Sequence, residues 1–471
     1  MTNELGAIDE KIGASGLNGA EQVRRPVSLA WVVTSSTLGS VIDWYDFYLY
    51  ASLAVFFGSE FFPPGNGTLG VLLSVATMGI GFAIRPLGGV VFGTLGDYFG
   101  RKYAFLLTLI VMGVATTAMG LLPTYASIGV ISPILLIIIR LVQGLAVGGE
   151  VGGAATYVAE NAPENTRGLY TGLLMTSAQF GTILSLIMIL LSRHLVGDQA
   201  FKSWGWRIPF LFSVILVVFS VFLRMRLQET PIYMELKSAG RTTKTPLRDV
   251  FLDKTNLKVL LLATFGVTAG QGVIGMTSNF FSLQFMQAVL KINISTSSAV
   301  SAVALALSIP VYFGFGWLSD HVGRRKLIVS GLLLAAVFYL PIYMAMKFFS
   351  TPVNPYALCF LVWLQLSFNA MVVGPLMAFL TESFPAKVRM TSVTIPFNIG
   401  NGIIGGFMPF IALWLSGLTG NPFVGLAYPI GIALITAIVN LACLHETSGT
   451  RIWDEVEVAG GTSPKAAINK K

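Results

Sequence analysis

GTLGDYFGRK, residues Gly93 to Lys102, comes back in the second half of the chain as GWLSDHVGRRK, residues Gly316 to Lys326. In both, an aspartate is followed three residues later by glycine and then by two basic residues. A second pair keeps the same spacing: AENAPENTR (Ala159 to Arg167) and TESFPAKVR (Thr381 to Arg389). The common offset, about 222 residues, makes the chain two copies of one unit. Each copy of the first motif closes one apolar run and opens the next, as a short polar turn between two membrane-crossing helices must.

Composition agrees with that reading. Of 471 residues, 54% are hydrophobic and 11% charged, with a mean hydropathy of +0.75. A soluble domain carries roughly 25% charged residues. Six apolar runs lie near Leu29–Phe57, Leu69–Leu95, Tyr103–Leu122, Ile131–Val158, Gly168–Leu191 and Arg207–Leu227. Six more lie near Val259–Gln287, Ser298–Leu318, Leu327–Phe348, Tyr356–Thr381, Thr391–Leu415 and Val424–Leu444. Each is long enough to cross a hydrocarbon core of about 30 Å as a helix. The expectation is an all-α membrane protein of twelve transmembrane helices in two pseudo-symmetric six-helix bundles. Residues 29–227 and 259–445 form the bundles, 228–258 a central cytoplasmic loop, and 1–28 and 446–471 cytoplasmic tails.

Orientation follows from the basic residues. With both termini inside, Arg101, Lys102, Arg167, Arg224, Arg324, Arg325, Lys387 and Arg389 fall on the cytoplasmic side with most other Lys and Arg, against Arg193, Lys202, Lys291 and Lys347 outside. This positive-inside bias accounts for the net charge of +8 without a nucleic-acid partner. The first 28 residues have no signal-peptide core. Cys359 and Cys443 lie singly in apolar segments, which argues against a disulfide or a metal site, and no cofactor is expected. His194, His321 and His445 fall in loops or at a helix end, so proton handling falls to carboxylates.

The doubled loop motif and the twelve runs resemble the major facilitator superfamily over nearly the whole chain. VIDWYDFYLY (Val41–Tyr50), FAIRPLGGVVFGTLGDYFGRK (Phe82–Lys102), RLVQGLAVGGEVGGAA (Arg140–Ala155) and WGWRIPFL (Trp204–Leu211) look like its metabolite:proton symporter branch, nearest to shikimate-type transporters. The resemblance implies a secondary transporter, not an enzyme, in the inner membrane of a prokaryote. The branch carries organic acids, dicarboxylates and zwitterions such as proline and betaine. The fifth run lacks the Gly-Pro-rich motif of drug antiporters, and the C-terminal tail lacks the heptads of osmosensing relatives.

A charge inside the bilayer costs at least about 2.5 to 3.5 kcal/mol, so ionisable residues there need a partner or a task. Asp43, Asp46, Arg85, Arg140 and Glu150 qualify, all in the first half. Asp43, Asp46 and Glu150 are the candidates for proton coupling. Asp43 and Asp46, three residues apart, share one helical stripe, and their mutual repulsion favours protonation; the plainer account makes one of them an ion-pair partner of Arg140. Arg140, Gln143, Val147, Glu150 and Tyr157 line one face of the fourth run. Arg140 lies near the depth of Asp46 and Glu150 near that of Arg85, which allows two opposite-charge pairs. A released arginine could take a substrate carboxylate bidentately.

Candidate substrate contacts are Arg85, Arg140, Gln143, Tyr45 and Tyr48, with Gln271, Asn279, Asn369 and Asn398 from the second half. Ordinary interhelical hydrogen bonding is the competing reading for each neutral one. The resemblance makes the loop motifs a latch on the cytoplasmic side: Asp97, Arg101, Asp320 and Arg324, with Glu160, Arg167, Glu382 and Arg389 as partners. The function expected is import of a small carboxylate-bearing metabolite, an organic anion or zwitterion, with protons, by a monomer working through alternating access. An uncoupled facilitator and a transporter-like receptor are the rival readings.

Overall fold

The computed structural model describes residues 29–63, 67–225, 229–238, 243 and 245–452. Both expected tails lie largely outside these residues, and the side chain of Asp43, on an otherwise described helix, is outside them too. Spanning helices are numbered in chain order. In the first half they are α1 (Leu29–Phe61), α2 (Gly67–Ala83 continuing as Arg85–Phe99), α3 (Arg101–Leu121), α4 (Ile131–Asn161), α5 (Arg167–Met175 continuing as Ser177–Val196) and α6 (Arg207–Met225). In the second half they are α7 (Lys254–Gln287), α8 (Ile294–Val322), α9 (Arg324–Phe348), α10 (Pro355–Ser383), α11 (Arg389–Asn398 continuing as Ile399–Gly405 and Met408–Thr419) and α12 (Ala427–Cys443). Among the described residues, nine helices are long and apolar enough to cross a membrane unaided, and α6 adds a shorter apolar one.

The repeat seen in the sequence is a repeat of backbone geometry. Gly100 joins α2 to α3 at φ 121°, and Gly323 joins α8 to α9 at φ 108°. A Cβ is strained at such angles, so the turn requires glycine and allows the two helices to be joined by one residue. Pro163 and Pro385 precede matching 3₁₀ turns, Glu164–Thr166 and Ala386–Val388, that lead into α5 and α11. The second helix of each half packs on the fifth of the other, α2 on α11 and α8 on α5. Gly168 and Gly172 meet Gly316 there, and small residues permit this close backbone approach.

Several of the helices are irregular. The α2 break falls at Ile84, just ahead of Pro86, whose ring nitrogen has no hydrogen to donate. Three π-helical turns, Thr264–Thr268, Thr277–Phe281 and Phe285–Val289, interrupt α7, and another, Ile399–Gly405, lies in α11. Tyr339 and Tyr343 of α9 donate to the carbonyls of Ile274 and Thr277 in α7 at 3.2 and 3.3 Å.

The described part of residues 228–258 is not all loop. Short helices Pro231–Ser238 and Pro246–Phe251 occupy part of the segment, and α7 begins at Lys254. Ile232 and Leu236 bury themselves against Ala386 and Ile452, which ties this connection to the second half.

Candidate functional site

Asp46, completely buried on α1, accepts a hydrogen bond from Gln143 Nε2 at 2.8 Å and faces Arg140 Nη1 at 3.5 Å, both on α4. Gln143 also donates to Thr116 of α3 at 3.0 Å. The Arg140 guanidinium lies 3.5 Å over the Tyr50 ring. Arg85 stands over the Phe82 ring at 4.1 Å. Arg85, Arg140, Asp46 and Gln143 line one cavity of about 20 Å³, with room for one or two waters. Among the described residues, Asp46 Oδ1, Gln143 Oε1, and Nε and Nη2 of Arg140 are buried there without a hydrogen-bond partner. Such groups carry a desolvation cost until water or ligand reaches them.

A second cavity of about 60 Å³ lies between the halves, and Trp44, Tyr48, Gln179, Gln271, Asn279, Phe280, Tyr312, Asn369, Phe397 and Asn401 line it. Its lining carries no charge. Asn401 donates to Gln271 Oε1 at 2.5 Å, and Asn369 to the Tyr312 hydroxyl at 2.6 Å. Phe47 of the first cavity meets Phe280 of the second edge-on at 5.5 Å, and Phe280 stacks on Tyr48 at 5.2 Å. These rings stand between the two cavities.

Tyr48, Gln271, Asn279 and Asn369, named from the sequence as candidate substrate contacts, line this second cavity. Tyr45 and Asn398 line neither cavity. The Tyr45 hydroxyl is spent on the Pro209 carbonyl at 2.6 Å, and Asn398 donates to the Gly148 carbonyl at 2.6 Å, joining α11 to α4.

Glu150 corrects the expected pairing. Its partner is Arg224 of α6 rather than Arg85, and Thr108 donates to the same carboxylate at 2.5 Å. Arg224, expected at the cytoplasmic surface, is buried, with its guanidinium 3.5 Å over the Phe105 ring and a hydrogen bond to the Phe105 carbonyl at 2.7 Å. It was missed because it ends an apolar run, where a long side chain is expected to reach for water. The side chain turns inward across Gly39 of α1, where a Cβ would coincide with the guanidinium. Gly39→Ala should therefore displace the Arg224 guanidinium and weaken its hold on Glu150, lowering stability by about 1 to 3 kcal/mol. A melting curve checks this, and Gly39→Ala added to Arg224→Ala should cost little further.

One face of the protein, which carries most of the described Arg side chains that pair with acids, is held by two matching networks. Asp97 accepts from the Met390 and Thr391 amides at the start of α11, at 3.2 and 2.8 Å. Asp320 does the same with Gly168 and Leu169 at the start of α5, both at 2.9 Å. Each carboxylate thus sits at the positive end of a helix in the opposite bundle. Glu160 pairs with Arg101 at 3.5 Å and Arg389 at 3.1 Å; Glu382 pairs with Arg324 at 3.2 Å and Arg167 at 2.9 Å. The residues named for the latch come together; Asp320 is half-buried and the other seven are buried.

A third layer was missed. Glu229 accepts from the Arg101 and Lys102 amides at 3.0 and 3.2 Å, capping α3, and Glu446 caps α9 through Arg324 and Arg325 at 2.8 and 3.1 Å. Thr230 and Thr447 donate to Glu160 and Glu382 at 2.6 and 2.8 Å. Burial holds the Glu229 carboxyl above its ordinary range, while the amides and Arg101 pull it back. The repeat LQET (Leu227–Thr230) and LHET (Leu444–Thr447), after the last helix of each half, was the available signal.

Two repeated bundles, latched on one face and enclosing buried charges and a polar cavity, define a multi-pass membrane carrier. Residues 32–248 match the family described as Sugar (and other) transporter, and residues 260–469 match Major Facilitator Superfamily. The inner membrane metabolite transport protein YhjE of Escherichia coli is 35% identical over 88% of this chain and 94% of its own length. The shikimate transporter of Escherichia coli is 35% identical over 80% and 85%. Its α-ketoglutarate permease is 31% identical over 90% and 95%. Among solved structures, the proton:xylose symporter XylE with a bound bromo-deoxyglucose aligns at TM-score 0.73, with 17% identity over 91% of this chain and 98% of that one. The chain belongs to the major facilitator superfamily, in its metabolite:proton symporter branch.

Proposed function

We propose that the protein imports a small carboxylate-bearing metabolite, shikimate-like in class, by proton symport. The observation that supports this best is the buried Asp46–Gln143–Arg140 cluster sharing a cavity with Arg85. With Asp46 ionised, its charge offsets that of Arg140. Protonation of Asp46 releases Arg140 and raises the positive charge available to an anion, so proton and anion favour each other's binding. Asp43 keeps its place as a second candidate carrier, and Glu150, engaged with Arg224, serves structure in this reading.

The latched face is the cytoplasmic one by the distribution of Lys and Arg, with both termini inside the inner membrane and the protein acting as a monomer. Closure there blocks release inward. The bundles 29–227 and 259–445 rock about the cavity, and the latch opens to deliver substrate. The test is uptake of radiolabelled shikimate and competing acids into proteoliposomes under an inward proton gradient. Accumulation that a protonophore abolishes supports symport; gradient-independent equilibration leaves an uncoupled facilitator instead. Arg85→Ala should weaken uptake at least about tenfold through loss of a charge-assisted anion contact.

A further inference from the structure

We infer that the central site selects hydroxylated monocarboxylates, taking the carboxylate at Arg85 and Arg140 and the hydroxyls at Gln179 and Asn369; this rests on the anion-import reading above. The two cavities differ in kind. Asp46, Arg85 and Arg140 are the charged residues lining the smaller, and none of the residues lining the larger is charged. One end of a bridging ligand therefore meets cations, and the other meets amides, hydroxyl and rings.

The amides define that second end further. Gln179 and Asn369 are 2% and 3% exposed, both line the larger cavity, and Gln179 Oε1 and Asn369 Oδ1 have no hydrogen-bond partner among the described residues. The Asn369 nitrogen is committed to the Tyr312 hydroxyl, which leaves its oxygen for a ligand. Buried acceptor oxygens call for O–H or N–H donors. A second carboxylate brings only acceptors and a negative charge that no cation in this cavity balances. A trimethylammonium group would suit the Trp44, Tyr48 and Phe280 rings but carries no hydrogen to donate. A flat hydroxylated ring does both, its apolar face on Trp44 or Tyr48 and its edge on the amides. To span both cavities such a ligand must displace the Phe47–Phe280 contact between them.

Competition against labelled shikimate in proteoliposomes of the full chain tests this, using cyclohex-1-ene-1-carboxylate, 2-oxoglutarate and trimethylglycine. Each should compete at least about tenfold more weakly than unlabelled shikimate, because a site built around unpaired acceptors rejects ligands that cannot fill them. Gln179→Leu and Asn369→Leu should bring the ring acid within about threefold of shikimate by weakening shikimate alone. Should either variant fail to fold, the ranking on the unmodified protein still decides. If 2-oxoglutarate or trimethylglycine competes as well as shikimate, the selectivity is overturned while proton-driven import stands. If no labelled acid enters under any gradient, the transport reading itself fails, and ligand-induced thermal shifts with the same four compounds then rank binding without transport.

Discussion

Proteoliposomes carrying Asp46→Asn are expected to hold labelled substrate at a ratio of about one to one across the membrane, however steep the proton gradient, because an uncoupled carrier can only equilibrate. Asparagine has the size of aspartate and can keep an acceptor oxygen toward Gln143, now 2.8 Å away. It cannot alternate between charged and neutral forms, so Arg140 is left permanently without its ionised partner. Exchange of substrate down its own gradient should persist within about tenfold of the unmodified rate, since the anion contacts survive. Accumulation that remains gradient-driven in Asp46→Asn would remove this residue as proton carrier and turn attention to Asp43.

The second large effect lies at the latch. In Glu382→Gln, Arg167 loses its paired acid at 2.9 Å, and Arg324 loses one of its two, the contact at 3.2 Å, keeping Asp320 at 2.6 Å, all in a buried setting. Breaking a buried ion pair on one side costs about 3 to 5 kcal/mol. The closed state bears that cost, because Arg167 belongs to one bundle and Glu382 to the other. Opening the latched face returns the arginines to water. The expected outcome is a lower melting temperature together with faster labelling of a cysteine introduced beside the cavity by a reagent supplied from the cytoplasmic side. Glu160→Gln should behave alike, since Glu160 holds Arg101 and Arg389 in the matching positions. Neither effect should fade much with added salt, which screens exposed pairs far more than buried ones. Unchanged labelling in both variants would mean that the helix-end contacts of Asp97 and Asp320 hold the face alone.

Much of the latch was legible before any coordinates, because it is written twice. A motif that recurs at a fixed offset must serve the same place in both halves, and the structure sets Gly100 and Gly323 of the two copies in matching positive-φ turns. The Glu-Thr pairs at 229–230 and 446–447 are repeated just as faithfully, but they lie in segments whose polarity reads as loop, so nothing local marked them as partners of the latch. Arg224 was misplaced for a related reason. A basic residue at the end of an apolar run ordinarily reaches for the interface, and only the absence of a side chain at Gly39 gives it a path inward.

The linear sequence by itself determined the membrane class, the twelve-helix count, the duplication and, Arg224 excepted, the short roster of acids and bases that have to be paired in the bilayer. These follow from apolar length, periodicity and the energetic penalty on buried charge, all of which are properties of neighbours along the chain. Tertiary packing alone decided who pairs with whom: Glu150 with Arg224 rather than Arg85, Asn398 with a backbone carbonyl rather than the cavity, and Gln179 with an unpartnered oxygen inside it. Those outcomes depend on how helices rotate and cross, and on where a glycine or a π-helical turn lets one side chain past another. That information is held between distant segments, so it becomes readable only when they meet.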